Sequence, residues 1–280
     1  MKLEKQDADS TPKLSDRDFR KIQEYVYEHT GIHLPESKRL LVLSRLSKRV
    51  RNLGYNSFGD YLEHLFKQGI QSSENTYFIN KITTNKTDFY REEHHFEFLR
   101  NSVFPIYKKS GKRNIRIWSA GCSTGQEAYT LAMEVLSFFG ETHWEDIKIL
   151  ATDIDTSVLQ VAKEGTYPAK VLDPVSRDKL MRYTDRNSDG TYTMKPLLKN
   201  LITFKQLNFK REKFPFKYGF DIVFCRNVII YFKKEDRPVL IRKLYDILRD
   251  NGHLFLGHSE SLLNERHGLV PVYNTVYRKK

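Results

Sequence analysis

The sequence predicts an α/β protein in which a doubly wound, Rossmann-like parallel sheet follows an all-helical N-terminal region. From about residue 112 onward, segments typical of strands alternate with segments typical of helices, whereas residues 15–110 show helical patterns only. In addition, the strand-like run Ile115–Trp118 leads through the small-residue turn Gly121–Gly125 into a helix that starts at Gln126. This arrangement lets backbone approach a nucleotide-like ligand.

Composition limits the protein class. The 280 residues suffice for one large or two smaller domains, and the formal net charge of +12 implies an acidic partner: nucleic acid, an anionic membrane or an acidic protein surface. No apolar run approaches a membrane span and the polar N-terminus lacks a signal-peptide core, so we expect a cytoplasmic monomer without membrane insertion. Cys122 and Cys225 are expected to be reduced and half-buried rather than a disulfide or metal ligands.

The N-terminal region is predicted to contain a disordered lead, residues 1–14, followed by a helical domain with its linker, residues 15–92. Ser15 and Asp18 have the spacing of a capping box at the start of the first helix. Gly31 is expected to end that helix, because glycine readily adopts the left-handed conformation of a helix end.

The second helix is predicted to span Glu36–Leu53, and a third to begin at Ser57. One face of the second helix is apolar and is expected to pack inward: Leu43, Leu46, Val50 and Leu53. Basic residues lie on or beside another face, which we call the basic stripe: Lys38, Arg45, Lys48, Arg49 and Arg51. The stripe is either a docking face for an acidic helix or phosphate backbone, or a solvated helix surface, which charge runs usually are.

The glycine turn indicates which ligand it suits. It matches neither G-x-G-x-x-G nor G-x-x-x-x-G-K-[ST], so diphosphate and triphosphate cradles are disfavoured. Glu127 follows the turn, and Asp153 ends the next predicted strand, Lys148–Asp153, where an acid can accept hydrogen bonds from ribose hydroxyls. Two acids without a phosphate-binding lysine suit a cationic nucleoside such as S-adenosylmethionine. A plain strand–helix turn with capping residues is the alternative.

Two further segments carry polar residues at useful positions. Residues 82–92 mix Thr, Asn and Arg with aromatic residues at a domain junction, which suits either a ligand cleft or a helix-capping linker. The adjacent His94 and His95 make a poor metal pair, because neighbouring helical residues point about 100° apart, and no metal site is predicted. The second segment is the end of a buried strand, where the polar residues Arg226 and Asn227 stand.

The strand Ile222–Cys225 brings polar residues to the edge where a doubly wound sheet binds ligands. Asn227 and Tyr231 are therefore candidates to face a cofactor and an acceptor. Alternatively, Arg226 forms a salt bridge that fixes the turn and Tyr231 is an amphipathic core residue. The Asn/Asp-Pro-Pro-aromatic turn of base N-methylating enzymes is missing here, which counts against a base amine as substrate.

Several blocks together resemble the chemotaxis receptor methyltransferases of the CheR type: TTNKTDFYREEHHF at 83–96, SAGCSTGQEAYT at 119–130, ATDID at 151–155, FDIVFCRNVIIYF at 220–232 and GHSESL at 257–262. The resemblance implies an N-terminal helical domain and a methyltransferase domain, residues 93–280, with a small inserted antiparallel β-subdomain at about 182–204. It implies S-adenosylmethionine as donor, with S-adenosylhomocysteine as product. It also implies that the acceptors are glutamates on the cytoplasmic helices of methyl-accepting chemoreceptors.

The resemblance also implies roles for individual residues. The implied cofactor contacts are Asn85, Thr87 and Arg91 at the methionine and sulfonium end, Gly121 and Glu127 at the glycine turn, Asp153 at the ribose, Asn208 and Phe209 at the adenine, and Arg226 and Asn227 at the strand end. Arg91 and Tyr231 match the pair that handles the acceptor glutamate, and are the implied catalytic residues. The basic stripe lies on the helix that the family uses against the acidic receptor.

Some features depart from the family pattern. Ala128 stands where many members have proline, which should alter only the helix entry. The insert contains the good hairpin turn Asn187–Gly190, but it is shorter and poorer in glycine than in members that bind a receptor's C-terminal pentapeptide, so such a tether is not expected. Two alternatives remain: a nucleic-acid methyltransferase, supported only by charge, and a cofactor-binding docking or sensor module without catalysis.

Overall fold

The computed structural model describes residues 12–112, 114–140, 146–262 and 268–280, so most of the predicted lead lies outside the described residues. Its contacts divide the chain into two compact units, of which the first ends at Thr83 and the second begins at Thr84. The linker up to residue 92, which the sequence places with the helical domain, therefore belongs to the second unit.

The first unit is helical, as predicted. Its helices are α1 (Asp16–Thr30), α2 (Arg39–Asn52), α3 (Phe58–Lys67) and α4 (Ser73–Ile82), with a short 3₁₀ turn, Glu36–Lys38, before α2. The predicted cap of α1 is confirmed, because the Ser15 side chain accepts a hydrogen bond from the backbone N–H of Asp18 at 3.1 Å. Gly31 ends α1 in the left-handed conformation, with φ of 76°.

The buried face of α2 differs in part from the predicted one. Val42, Leu46 and Val50 are buried at a spacing of four residues. Leu43 is only half-buried. Leu53 is 39 % exposed, because α2 ends one residue earlier and Leu53 caps the helix from outside its last turn.

The second unit contains a large and a small sheet. The strands are β1 (Arg116–Ala120), β2 (Lys148–Asp153), β3 (Thr166–Pro168), β4 (Thr184–Arg186), β5 (Thr191–Met194), β6 (Ile202–Gln206), β7 (Phe220–Cys225), β8 (Leu248–Leu256), β9 (Leu269–Tyr273) and β10 (Val276–Lys279). The helices are α5 (His94–Phe98), α6 (Phe104–Lys109), α7 (Gln126–Phe139), α8 (Thr156–Glu164), α9 (Arg177–Tyr183), α10 (Pro196–Lys199) and α11 (Arg237–Ile247). A π-helical turn, Leu99–Val103, joins α5 to α6.

The large sheet has the strand order β6–β2–β1–β7–β8–β10–β9. The strands from β6 to β8 are parallel, and β10 runs antiparallel to both β8 and β9. The chain leaves β1 toward β2 on one side and returns to β7 on the other, so the strand order reverses between β1 and β7. Ligands bind outside the carboxyl ends of parallel strands at such a reversal.

Successive residues of the central strands belong alternately to two separate hydrophobic clusters. Ile117 and Phe224 belong to one cluster, whereas their neighbours Trp118 and Cys225 belong to the other. Since successive side chains of a strand point to opposite faces, both faces of the sheet are covered. The predicted doubly wound fold is therefore confirmed, and both cysteines are buried free thiols.

The small antiparallel sheet has the order β3–β5–β4 and contains the predicted hairpin turn. The N–H of Asn187 donates to the carbonyl of Thr191 at 2.8 Å, and Gly190 has a φ of 83°. The sheet starts earlier than residue 182, because β3 pairs with β5. It also ends before residue 204, since β6 is an edge strand of the large sheet. Within the described ranges, no helix has the length and apolarity needed to cross a membrane.

Candidate active site

The carboxyl ends of β1, β2 and β7 bring the glycine turn next to the turn that follows β7. The backbone N–H groups of Gly121 and Cys122 donate to the carbonyl of Thr152 at 2.8 and 2.9 Å. Gly121 has a φ of 88°, and a Cβ at this position would lie 2.5 Å from Cγ2 of Val228. Only glycine therefore fits between the two turns without displacing one of them.

Asp153 presents a buried carboxylate at the end of β2. One oxygen accepts from the N–H of Ser123 at 2.8 Å and the other from the N–H of Asp155 at 3.0 Å. Burial raises the pKa of Asp153 to about 6, against the opposing effect of these backbone donors. The carboxylate is thus fixed in place and mostly ionised at neutral pH, ready to accept further hydrogen bonds.

Glu127 lies in the first turn of α7, where the helix dipole favours an acid. Its oxygens accept from Oγ of Ser119 at 2.6 Å and from Nε of Arg226 at 2.8 Å. The salt bridge considered from the sequence for Arg226 is therefore present. It ties the start of α7 to the end of β7.

The guanidinium of Arg226 is also held on its other sides. The residue is 6 % exposed and lies over the rings of Phe96 and Phe224, each with its centroid 5.3 Å away. Nη1 donates to the backbone carbonyl of Arg91 at 2.5 Å and to Nδ1 of His95 at 3.2 Å. Arg226 therefore joins the end of β7 to the segment 85–92.

His95 acts as a neutral acceptor for Arg226. Burial, the Arg226 charge and His94 lower the pKa of His95 to about 3. Because arginine can only donate, Nδ1 of His95 accepts, and Nε2–H is left to donate to Oγ1 of Thr275 at 3.0 Å. The sequence offers no sign of this role, since His95 stands out there only as half of a poor metal pair.

The segment that begins at Asn85 lies against the glycine turn. Nδ2 of Asn85 donates to the carboxylate of Asp155 at 2.6 Å, and Oγ of Ser123 donates to the Asn85 carbonyl at 2.8 Å. Nη1 of Arg91 donates to the carbonyl of Lys86 at 2.9 Å. Thr87 is half-buried in the same segment. Asp155 and Ser123 thus position predicted site residues, although sequence patterns did not single them out individually.

Backbone strain is concentrated in this region. Of the six non-glycine residues with positive φ among the described residues, Tyr90, Glu92, Ser123 and Asn227 lie in the segments that form the site, with φ between 49° and 58°. Such conformations cost roughly 1–3 kcal/mol each and persist only where the surroundings impose them. Two hydrogen bonds help to impose these conformations: the N–H of Ser123 donates to Asp153, and Arg226 donates to the carbonyl of Arg91.

Tyr231 lies in the 3₁₀ turn Ile229–Tyr231, directly after the strand-end residues. Burial raises the pKa of the half-buried Tyr231, while the positive charge of Arg91 lowers it. The charge of Arg91 thus acts on the phenol of Tyr231, and the joint role of the two residues toward an acceptor stays a prediction. With its net pKa raised, the phenol is protonated at neutral pH and can donate a hydrogen bond.

Asn208 and Phe209 follow β6 at the same carboxyl edge. Oδ1 of Asn208 accepts from the N–H of Lys210 at 2.9 Å. The half-buried ring of Phe209 meets Trp118 edge-on, with centroids 6.0 Å apart. The fold thus brings these residues to the ligand edge, and their contact with adenine stays a prediction.

The basic stripe of the first unit does not form one continuous exposed surface. Nη1 of Arg45 donates to the carbonyl of Thr83 at 2.6 Å, and so caps the C-terminal end of α4. Arg49 forms an ion pair with the buried carboxylate of Glu74. Backbone carbonyls and a buried acid therefore occupy part of these two guanidinium groups, and their role against a receptor stays a prediction.

The other members of the basic stripe have different exposure. Lys48 and Arg51 are exposed, and Lys38 is half-buried.

Two family models match the chain. The CheR methyltransferase all-alpha domain matches residues 17–83, and the CheR methyltransferase SAM-binding domain matches residues 85–277. The boundary between the two matches coincides with the division of the chain at Thr83 and Thr84. The second match contains every strand-end residue described above, and S-adenosylmethionine is the cofactor of this domain. The contacts of the individual residues with the cofactor stay predictions.

Curated relatives match over nearly their whole length. The chemotaxis protein methyltransferase of Borreliella burgdorferi is 38% identical, covering 94% of this chain and 94% of the relative. Chemotaxis protein methyltransferase 2 of Pseudomonas aeruginosa is 38% identical, covering 93% and 92%. The chemotaxis protein methyltransferase of Escherichia coli is 37% identical, covering 94% and 91%. Both domain matches and these relatives show that the chain belongs to the CheR methyltransferase family, whose members methylate in chemotaxis with S-adenosylmethionine.

Proposed function

We propose that this methyltransferase esterifies the γ-carboxylate of glutamates on the cytoplasmic helices of methyl-accepting chemoreceptors. The product would be a glutamate methyl ester, and the reaction would take place in the cytoplasm. The observation that carries the proposal is that the end of β7 joins two suitable groups: Arg226 holds the backbone of the cationic Arg91, and the turn that follows contains Tyr231, a protonated hydroxyl. Together they suit a carboxylate acceptor.

The residues at this edge fit S-adenosylmethionine. Asp153 suits the ribose hydroxyls, while Asn208 and Phe209 are available for the adenine. Glu92 adds a carboxylate to this region, and its buried Oε2 has no hydrogen-bond partner among the described residues but lies 3.8 Å from Nη1 of Arg226. When bound, S-adenosylmethionine supplies an electrophilic methyl group on a positively charged sulfur.

The acceptor needs no general base. A glutamate side chain has a reference pKa of about 4.3 and is ionised at neutral pH. Arg91 would hold the carboxylate through a charge-assisted contact, and Tyr231 would orient one oxygen by donating a hydrogen bond. Alignment of the carboxylate with the methyl group should contribute more to the rate than desolvation does, because well-aligned groups recover roughly 7–11 kcal/mol of a barrier.

Receptor recognition would use the part of the basic stripe that intramolecular contacts leave accessible. Lys48 and Arg51 are exposed on α2 and carry the charge that an acidic helical bundle requires. The four-residue turn Asn187–Gly190 supports a mode of binding that does not depend on a receptor pentapeptide.

The test is transfer of labelled methyl from S-adenosylmethionine to membranes that contain chemoreceptors, followed by mild base. Label that enters receptor bands and is released by base supports a carboxyl methyl ester. If nucleic acid is labelled in the same assay, the nucleic-acid alternative replaces the proposed glutamate acceptor. Cofactor binding without label in either acceptor would point to a docking or sensor module.

A further inference from the structure

Another buried carboxylate, Glu260, lies beside the turn that follows β7 but is not among the residues implied to bind cofactor or acceptor. It is 6 % exposed. Oε2 accepts from the N–H of Asn227 and from the N–H of Gly257, both at 2.7 Å. Oε1 accepts from the N–H of Ile230 at 3.2 Å. One side chain therefore satisfies backbone donors in two separate turns.

The turn held in this way carries site residues at both ends. It begins with Asn227, whose φ of 58° is unfavourable for a residue with a side chain. It ends with Tyr231, one residue after Ile230. A buried N–H group needs a partner, and these amides find it in Glu260 rather than in a helix or sheet.

The surroundings leave the turn little freedom. A Cβ at Gly257 would lie 2.4 Å from Nδ2 of Asn227 and 2.8 Å from its backbone nitrogen. Oε1 of Glu92 accepts from the N–H of His258 at 3.3 Å and from Nδ2 of Asn227 at 3.5 Å. Burial raises the pKa of Glu260, while the amides of Gly257, Asn227 and Ile230 oppose that shift. In its ionised form both oxygens only accept, which matches the backbone donors around them.

We propose that Glu260 is a positioning residue, which fixes the turn 227–231 so that Asn227 faces the cofactor and Tyr231 faces the acceptor. This inference rests on the proposed function for Tyr231 and on the established cofactor for Asn227. Displacement of a positioned group by about 1 Å can cost about 10²-fold in rate. Loss of this carboxylate should therefore affect turnover beyond any effect on folding.

The test variant is Glu260→Gln, which keeps the shape of the side chain. In either orientation of its amide, the NH₂ group is a donor that faces at least one backbone N–H, and that N–H loses the acceptor it has in the wild type. The matched control is Asp221→Asn. Asp221 is also a buried carboxylate, 1 % exposed, and accepts from the N–H of Arg116 at 2.8 Å. It lies near the start of β7, roughly 13 Å along the strand from Cys225, and therefore far from the turn.

Three quantities would be measured for wild type and both variants: kcat for receptor methylation per folded molecule, the Kd for S-adenosylhomocysteine, and amide hydrogen exchange of residues 226–231. We expect Glu260→Gln to lower kcat by about 10²-fold, to weaken S-adenosylhomocysteine binding several-fold, and to accelerate exchange in this turn. Asp221→Asn should lower the melting temperature and leave all three close to wild type.

The proposal is overturned if Glu260→Gln keeps kcat and Kd within twofold of wild type, or if Asp221→Asn loses as much. If Glu260→Gln does not fold, Glu260→Asp decides in the same way, because it keeps the charge and withdraws it by one methylene. If wild type methylates no receptor, the proposed function fails instead. Kd and hydrogen exchange then decide the role of Glu260 on their own.

Discussion

Replacement of Gly121 by alanine should damage the active site through two effects that the structure allows to be separated. The left-handed conformation, with φ of 88°, costs an alanine roughly 1–2 kcal/mol. The new Cβ would also lie 2.5 Å from Cγ2 of Val228, and such overpacking costs roughly 1–3 kcal/mol more. Gly121→Ala should therefore lower the free energy of unfolding by roughly 2–5 kcal/mol.

The second effect also reaches the cofactor site. Val228 directly follows Asn227, and a valine cannot rotate away from the overlap freely. We expect the Kd for S-adenosylhomocysteine, measured by calorimetry, to rise by about tenfold or more, which corresponds to about 1.4 kcal/mol.

Gly190→Ala is the matched control, because Gly190 has a φ of 83° but no atom lies within 4 Å of the Cβ position. It should pay only the conformational cost and leave the Kd unchanged. Adding Val228→Ala to Gly121→Ala should recover part of the lost affinity by removing the overlapping methyl group. Equal losses of stability in the two glycine variants, together with an unchanged Kd in Gly121→Ala, would refute the reasoning.

Three further outcomes are expected. Arg91→Ala should lose most methyl transfer and Tyr231→Phe less, since the arginine provides the charge-assisted contact; unchanged turnover in Arg91→Ala would exclude it from the mechanism. The affinity for S-adenosylhomocysteine should be highest well above pH 6, where the carboxylate of Asp153 is ionised, and should fall as the pH drops through the Asp153 pKa of about 6, because the protonated acid loses an acceptor. Asp153→Asn should bind weakly with little pH dependence, and a wild-type profile in that variant would contradict the assignment. The double variant Lys48→Glu with Arg51→Glu should slow receptor methylation most at low ionic strength without changing the Kd for S-adenosylhomocysteine; an unchanged rate would argue against docking through α2.

Local patterns predicted the elements that position the site. The bounds of β2 are the predicted Lys148–Asp153, and α7 begins at Gln126 as expected. These elements are readable because a buried parallel strand is a continuous apolar run and because a glycine turn separates it from the following helix. The carboxyl ends of such strands must share one edge, so the positions of Asp153 and Asn227 followed from the sequence.

Long-range partners could not be predicted in the same way. Helical spacing indicates which face of α2 carries Arg49, but not that Glu74 lies opposite it. Likewise, β3 pairs with β5 through Thr166 and Thr193, a contact that no local period reports. Charge and periodicity describe one element at a time, whereas partner choice depends on how several elements meet.

The buried ion pair of Glu127 and Arg226 is better explained by positioning than by stability. Burying two charges costs several kcal/mol per ion, and well-packed apolar residues often replace such pairs without loss. Yet Arg226 also holds the Arg91 carbonyl and Nδ1 of His95, and so connects β7, α7 and the strained segment around Tyr90. If the reaction is the proposed esterification, which needs no general base, the enzyme contributes mainly by aligning the reactants and excluding water. A charged network that costs stability but keeps these elements in one arrangement would assist that alignment.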